Sequence, residues 1–482
     1  MAQQSPAFET ALALSRFGLG AGTDGVAAVS GDIRERLKAE IASGAPTLPA
    51  LRASPDILVD VYQYQAAKQA ERQAMKTAPA PAPVPVPAPP ATDMTAMAPQ
   101  PAPKPQKPGA DLDNLIRQSL LAEIDGRFNG TVKSPEIGFN ERMVMFWMNH
   151  FAVSTKKSQP VEATTGAYER EAIRPHVFGR FYDLLVAVET HPSMLLYLDN
   201  EQSIGPHSQA NKNGKRGLNE NLAREIMELH TLGVGSGYSQ SDVTAFARVI
   251  TGWGVNRNDK NGPPGTFVFN ARAHEPGAQE VMGRAYAQDG VDQGKAVLAD
   301  LARHPATARH IAFKLARHFV ADTPPPALVS RLSDTFLKSD GDLAAVSQAL
   351  INAPEAWTPQ RQKIRSPLEY LCAAIRATGA TLKPNAITTA LNAMGEPLWQ
   401  PAGPNGFPDT ADAWASPESL STRLDFVNGL ALAADPSVDP RQFAESRLGA
   451  LLSDHTREAV ARAESHAQGL SLAFLSPEFM RR

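Results

Sequence analysis

Residues Gly217 to Trp253, GLNENLAREIMELHTLGVGSGYSQSDVTAFARVITGW, crowd carboxylate, guanidinium, amide and imidazole groups onto two predicted helices joined by a glycine-rich turn. When such groups converge they do acid–base work or hold a divalent metal. At about 100° per residue, Leu218, Leu222, Ile226 and Leu229 form the buried stripe of the first helix. Asn221, Glu225 and Glu228 flank that stripe on one side, and Asn219 and His230 on the other. On a straight helix Glu225 and His230 point about 140° apart, so they do not reproduce the Glu-x-x-His spacing that sets two metal ligands on one face. Glu220, Arg224 and Glu228 recur every fourth residue and make an ordinary charge ladder, a few tenths of a kcal/mol per pair. Glu225 and His230 fall outside the ladder; at the edge of an apolar stripe each needs a partner or a shifted pKa. Asp242 caps the second helix near Ser239 or Ser241, and Arg248 rides on its flank before Thr251-Gly252-Trp253.

A second anomaly is Met143 to Val153, MVMFWMNHFAV, whose only polar residues are Asn149 and His150. The helix is expected to be buried nearly all round. An unpaired buried amide or imidazole costs on the order of 1–3 kcal/mol, so both residues must be hydrogen-bonded or bound to something. A satisfied core histidine is the common outcome, and a ligand or general-base role is the alternative. His176 and His191 are expected to start or cap helices, and His274 lies in a loop after a predicted strand. His310, Lys314 and His318 share one helical face near Arg317, by default a solvated basic face, with an anion site as the alternative. GxxxxGK[ST], GxSxG, HExxH and any nucleotide or flavin motif are absent, which removes the usual support for P-loop, α/β-hydrolase and zincin chemistry.

These residues need elements to position them. Apolar residues recur at helical spacing through most of the 482-residue chain, for example Ile311, Leu315 and Phe319, with Pro or Gly near many ends. The expectation is a mainly α, multi-helix globular bundle with at most one small β-hairpin, Thr266–Phe269 against Gln279–Met282. Between Ala78 and Gly109 proline nearly alternates with alanine and valine, a pattern that excludes helix and central strand. That divides the chain into an N-terminal helical segment (1–77), a flexible Ala/Pro-rich insertion (78–109) and a main helical domain (110–482) expected to join 1–77 as one unit. The helical patterns at Pro55–Lys76 and Asp111–Phe128 read as two arms of an interrupted hairpin. A formal net charge of -3 lacks the basic excess of a nucleic-acid binder. No apolar run approaches about 18 residues, so no membrane-spanning helix is expected. The start, MAQQSPAFETALALSRFGLGAG, has no basic region ahead of an apolar core, so a cytoplasmic location is expected. The single cysteine, Cys372, excludes intrachain disulfides and sits in an apolar run where a buried thiol is expected.

The long block at Leu218–Trp253 occurs with FWMNHFAVS at Phe146–Ser154, RPHVFGRFYDLLVAVETHPSMLLYLDN at Arg174–Asn200, HEPG at His274–Gly277, KIRSPLEYL from Lys363 and the terminal LSPEFMRR. Together, and in this order, they closely resemble the bacterial domain-of-unknown-function family 1800, from LSRFGLG at Leu14 to the C-terminus. The family pattern HDPG with a following lysine stands here as His274-Glu275-Pro276-Gly277 with Gln279 near the lysine position. The resemblance implies no settled activity. It implies members that are often exported, so a periplasmic or extracellular location, and genes that neighbour a sulfatase-like protein, a candidate partner. Matched residue by residue, it marks Asn149, His150, Asn219, Glu220, Asn221, Arg224, Glu225, Glu228, His230, Asp242, Arg248, Trp253 and His274. The leading expectation is an enzyme, hydrolytic or metal-assisted, acting on an envelope-associated substrate. Glu225 or Glu228 would be general acid/base and His150 or His230 proton carrier or ligand, with His150, His230 and Glu225 the candidates to hold a divalent metal. Asn149, Asn221, Arg224, Arg248, Trp253 and His274 would bind substrate. The rival is a non-enzymatic helical binding or assembly protein whose buried polar network fixes helix register.

Overall fold

Helix starts in this protein are written by one recurrent dipeptide. A capping side chain followed by proline opens helices at Ser5-Pro6, His191-Pro192, His304-Pro305, Ser366-Pro367, Ser416-Pro417, Asp439-Pro440 and Ser476-Pro477. In each, the side chain accepts an otherwise orphaned backbone N–H, while proline occupies the first turn, where its missing N–H costs nothing. His191 caps as expected, its Nδ1 accepting from Ser193 N at 3.1 Å. His176 instead ends the 3-10 turn Arg174–His176, where no side-chain cap bond is made.

The computed structural model describes residues 5–49, 51–77, 110–133, 137–212, 214, 217–258 and 262–482. The expected insertion at 78–109 lies outside the described residues. The fold is mainly α. One apolar cluster runs from Ala11 to Phe479 and takes side chains from both sides of residues 78–109. A smaller cluster joins Ile57 and Val61 of the Ser54–Thr77 helix and Leu112 and Ile116 of the Ala110–Asp125 helix to Ala163 and Ala167 of the Gln159–Tyr168 helix. Among the described residues no helix is long and apolar enough to cross a membrane.

The strand expectation is corrected. Phe267–Phe269 pairs not with Gln279–Val281 but antiparallel with Trp253–Val255, Trp253 facing Phe269. Gln279–Val281 pairs instead with Arg284–Tyr286, so the described residues form two small antiparallel pairs of strands. The second closes through Met282 and Gly283, at φ 52° and 74°. Two consecutive left-handed residues give the tight turn whose twist suits a hairpin, even though methionine is an unusual occupant.

The Phe139–His150 helix organises the centre of the molecule. Every residue in it is buried except half-buried Asn149: the burial expected from Met143 onward extends to the polar first turn, Asn140, Glu141 and Arg142. Its first turn is anchored by Glu40, which accepts from Gly138 N at 3.0 Å and Phe139 N at 2.7 Å, a negative charge at the positive end of the helix dipole. Around it lies an interior rich in paired charges. Arg174 binds Glu141 at 2.7 Å and Glu169 at 2.9 Å; Arg127 binds Glu169 at 2.7 Å; Arg142 and Arg482 converge on Glu369 at 2.8 and 2.7 Å. Cys372 is buried, and burial pushes its thiol up to about 12, which makes it unreactive.

Candidate functional site

The helix that carries Glu225 and His230 is not uniform. Asn221–Glu225 is α-helical and Ile226–His230 is a π-helical turn. A π turn bonds residue i to i+5, which brings residues five apart onto one side of the helix. The straight-helix angle between Glu225 and His230 therefore does not apply. Burial raises the Glu225 carboxyl, and among the groups acting against that rise His230 comes first. The buried face is also rearranged: it is made by Leu222, Ala223, Ile226, Met227 and His230, while Leu218 precedes the helix and Leu229 is half-buried.

His230 is wholly buried and donates a hydrogen bond from Nδ1 to Oε1 of wholly buried Glu189 at 2.8 Å. Since the carboxylate can only accept, Nδ1 carries the proton, and Nε2 has no hydrogen-bond partner among the described residues. His150, also buried, donates from Nε2 to the backbone carbonyl of His230 at 3.1 Å, leaving its Nδ1 without a partner. His310 donates from Nε2 to the carbonyl of Leu229 at 3.1 Å. The His150 ring lies 6.2 Å from that of His230 and 6.0 Å from that of His310. Desolvation first, then Lys314, holds His150 well below the ordinary histidine range and His310 at about 4. Burial also lowers Lys314 itself to about 8. Thus His310 and Lys314 do not form the solvated basic face expected of them.

His150 and His230 are neighbours, and His230 lies within electrostatic reach of Glu225. Among the described residues no group of three or more His, Cys, Asp or Glu is arranged to hold a metal ion. One nitrogen of each histidine is taken by Glu189 or by a carbonyl and the other is unpartnered, and the two rings stand 6.2 Å apart.

The other expected residues occupy different surroundings. Arg224 bridges Glu220 at 3.0 Å and Glu228 at 3.5 Å and reaches Gln240 of the next helix at 2.9 Å, so Glu228 and Arg224 belong to the charge ladder. Asn221 is exposed. Asn219 ties down the preceding loop through the carbonyls of Leu198 and Asp199. Asp242 and Ser239 form a capping box, as expected. Arg248 is half-buried with Nε unpartnered. Trp253 is wholly buried in the first strand pair, and His274 donates from Nδ1 to the carbonyl of Thr251 at 3.0 Å. Glu189 was not singled out from sequence. A carboxylate beside Leu185 and Val188, on the buried face of the Phe181–Glu189 helix, is the signal that would have found it.

The neighbouring flank of the central helix meets a cleft enclosing about 730 Å³, its open mouth included. Asn149 works here as a clamp: Oδ1 accepts from Phe407 N at 2.7 Å and Nδ2 donates to Phe407 O at 3.0 Å. Beside it, His318 donates from Nδ1 to Asp409 at 2.9 Å and accepts at Nε2 from Arg142 at 3.0 Å, with burial lowering the imidazole to about 4. Glu396, also on the wall, is buried and pushed up to about 7 by desolvation.

Neither curated proteins nor solved structures give a match to this chain. A family model described as "Protein of unknown function (DUF1800)" matches residues 12–481, which takes in the central helix, the π turn and both strand pairs. The chain belongs to that family.

Proposed function

We propose that the protein is an enzyme of the hydrolytic, acid–base kind, centred on His230. The observation that carries this reading is a buried imidazole oriented through Nδ1 by Glu189 at 2.8 Å with Nε2 unpartnered, the arrangement by which a carboxylate prepares histidine as a general base. In the proposed step Nε2 of His230 takes a proton from water as the water oxygen attacks the substrate. Glu189 stabilises the resulting imidazolium. Glu225, raised by burial and so able to hold a proton closer to neutrality, protonates the departing oxygen, after which His230 releases its proton to solvent and Glu225 takes one back from solvent. His150 positions the base by holding the backbone carbonyl of His230. The gene neighbourhood implied by the family, with its sulfatase-like protein, supports an envelope-associated ester as substrate.

The test is turnover of a panel of nitrophenyl carboxylate, phosphate and sulfate esters and glycosides by the wild type and by His230→Gln and Glu225→Gln. Turnover of one class, lost by a factor of about 10²–10⁴ in each variant at unchanged melting temperature, is expected. Turnover that survives in both folded variants would sink the assignment. The rival, a helical assembly protein, is favoured by one observation, the complete burial of both Glu189 and His230. It predicts that His230→Gln costs stability while no member of the panel is turned over by the wild type.

A further inference from the structure

The cleft beside Asn149 is separate from the His230 centre and has its own chemistry. Its wall is largely apolar, with Met145, Met148, Leu368, Leu398 and Phe407 among its side chains. An apolar wall with a few fixed polar groups is the usual lining of a small-molecule site. Two features define the polar end. Arg127, 1% exposed, reaches the wall with Nη1 on Glu169 at 2.7 Å and Nε towards Glu141 at 3.3 Å. Its Nη2 has no hydrogen-bond partner among the described residues, an orphaned charged donor where a buried donor is costly to leave unmade. The second feature is Glu396, held in place by Leu368 N at 2.8 Å and pushed up to about 7, so that near neutral pH its carboxyl can donate as well.

The other charges at the cleft are already matched. Asp409 is engaged by His318 and by Lys363 at 3.1 Å, and Glu369 by Arg142 and Arg482. The open valence is therefore on the donor side, and it asks for an acceptor on the ligand. Carboxylate oxygens suit a guanidinium best, because the bond is charge-assisted. The methionines add an adaptable surface for a chain of variable shape.

We propose that this cleft binds a small acyl compound, an apolar chain ending in a carboxylate, with its chain against Met145, Met148, Leu368 and Phe407 and its head at Arg127 and Glu396. The site is independent of hydrolysis at His230 and survives if that reading fails. The experiment uses the full chain with octanoate and octylamine, which share chain length and differ in the head, read by tryptophan fluorescence because Trp399 lines the cleft. A diazirine-bearing octanoate is then photolysed with the wild type and the labelled peptides are mapped by mass spectrometry. Saturable octanoate binding below millimolar, at least about tenfold weaker binding of octylamine, and label within residues 145–153 or 396–409 are expected. Ala152→Phe, which fills the cleft, should abolish binding in a folded variant; if it does not fold, the wild-type label map decides. Absence of saturable binding, label outside both segments, or octylamine binding as well as octanoate would each overturn the proposal.

Discussion

At the residue scale the chain shows how far a polar side chain in an apolar run can be interpreted. Asn149 and His150 are adjacent, both were obliged to find partners, and both did, but in opposite directions: one clamps the backbone of Phe407, the other holds the carbonyl of His230. The demand for a partner follows from burial alone. The partners themselves, 258 and 80 positions away along the chain, carry no local signal. Asn149→Ala removes both bonds to Phe407 and should lower stability by about 1–3 kcal/mol. Asn149→Asp keeps the acceptor for Phe407 N but sets a carboxylate against Phe407 O, so it should not recover the loss. Urea unfolding midpoints measure both effects; an aspartate variant as stable as the wild type would show that the donor half of the clamp contributes nothing.

At the element scale, local preference and tertiary packing disagree at identifiable places. The π turn at Ile226–His230 overrode a helical wheel that assumed uniform spacing, and it thereby moved His230 onto the side of Glu225. The hairpin error has a similar origin. TFVF was legible as a strand, but its partner at Trp253–Val255 is only three residues long and lies directly behind Gly252, whose φ of 82° turns the chain out of the preceding helix. The Val291–Arg303 helix offers a test of which influence dominates. Gly294→Ala should favour the isolated helix by up to about 1 kcal/mol. In the folded protein the added Cβ would stand 2.3 Å from Cζ2 of wholly buried Trp253. Overpacking of that kind costs about 1–3 kcal/mol, so the variant should melt below the wild type. A higher melting temperature would mean that the helix can shift away from the tryptophan freely.

At the scale of the whole molecule, buried titratable groups couple the fold to acidity. His150, His310 and His318 have folded-state affinities for protons below those of an unfolded chain, near 6.5, because desolvation penalises their charged forms. The unfolded chain therefore binds more protons as pH falls from about 6.5 towards 4. Their contribution is fully present above that window and lost on acidification through it. Three protons correspond to at most about 4 kcal/mol per pH unit near pH 5. Glu396, Glu225 and Glu123, raised by burial, act in the opposite sense and reduce that slope. Unfolding midpoints at pH 7 and pH 5 should differ accordingly, with lower stability at pH 5. Equal midpoints would show that the histidine contribution is absent or fully offset by the raised carboxyls.

Sequence by itself determined the helical class, the capped starts at Ser239 and His191, the burial of Met143 to Val153 apart from Asn149, and the family, because each depends on residues close together in the chain. Tertiary structure alone decided that Glu189 orients His230, that Asn149 faces a cleft while His150 faces a histidine cluster, and that Arg127 is left with an unpartnered donor. Those outcomes depend on which segments, far apart in sequence, cover the same buried polar atom, and periodicity along one segment contains no information about its cover.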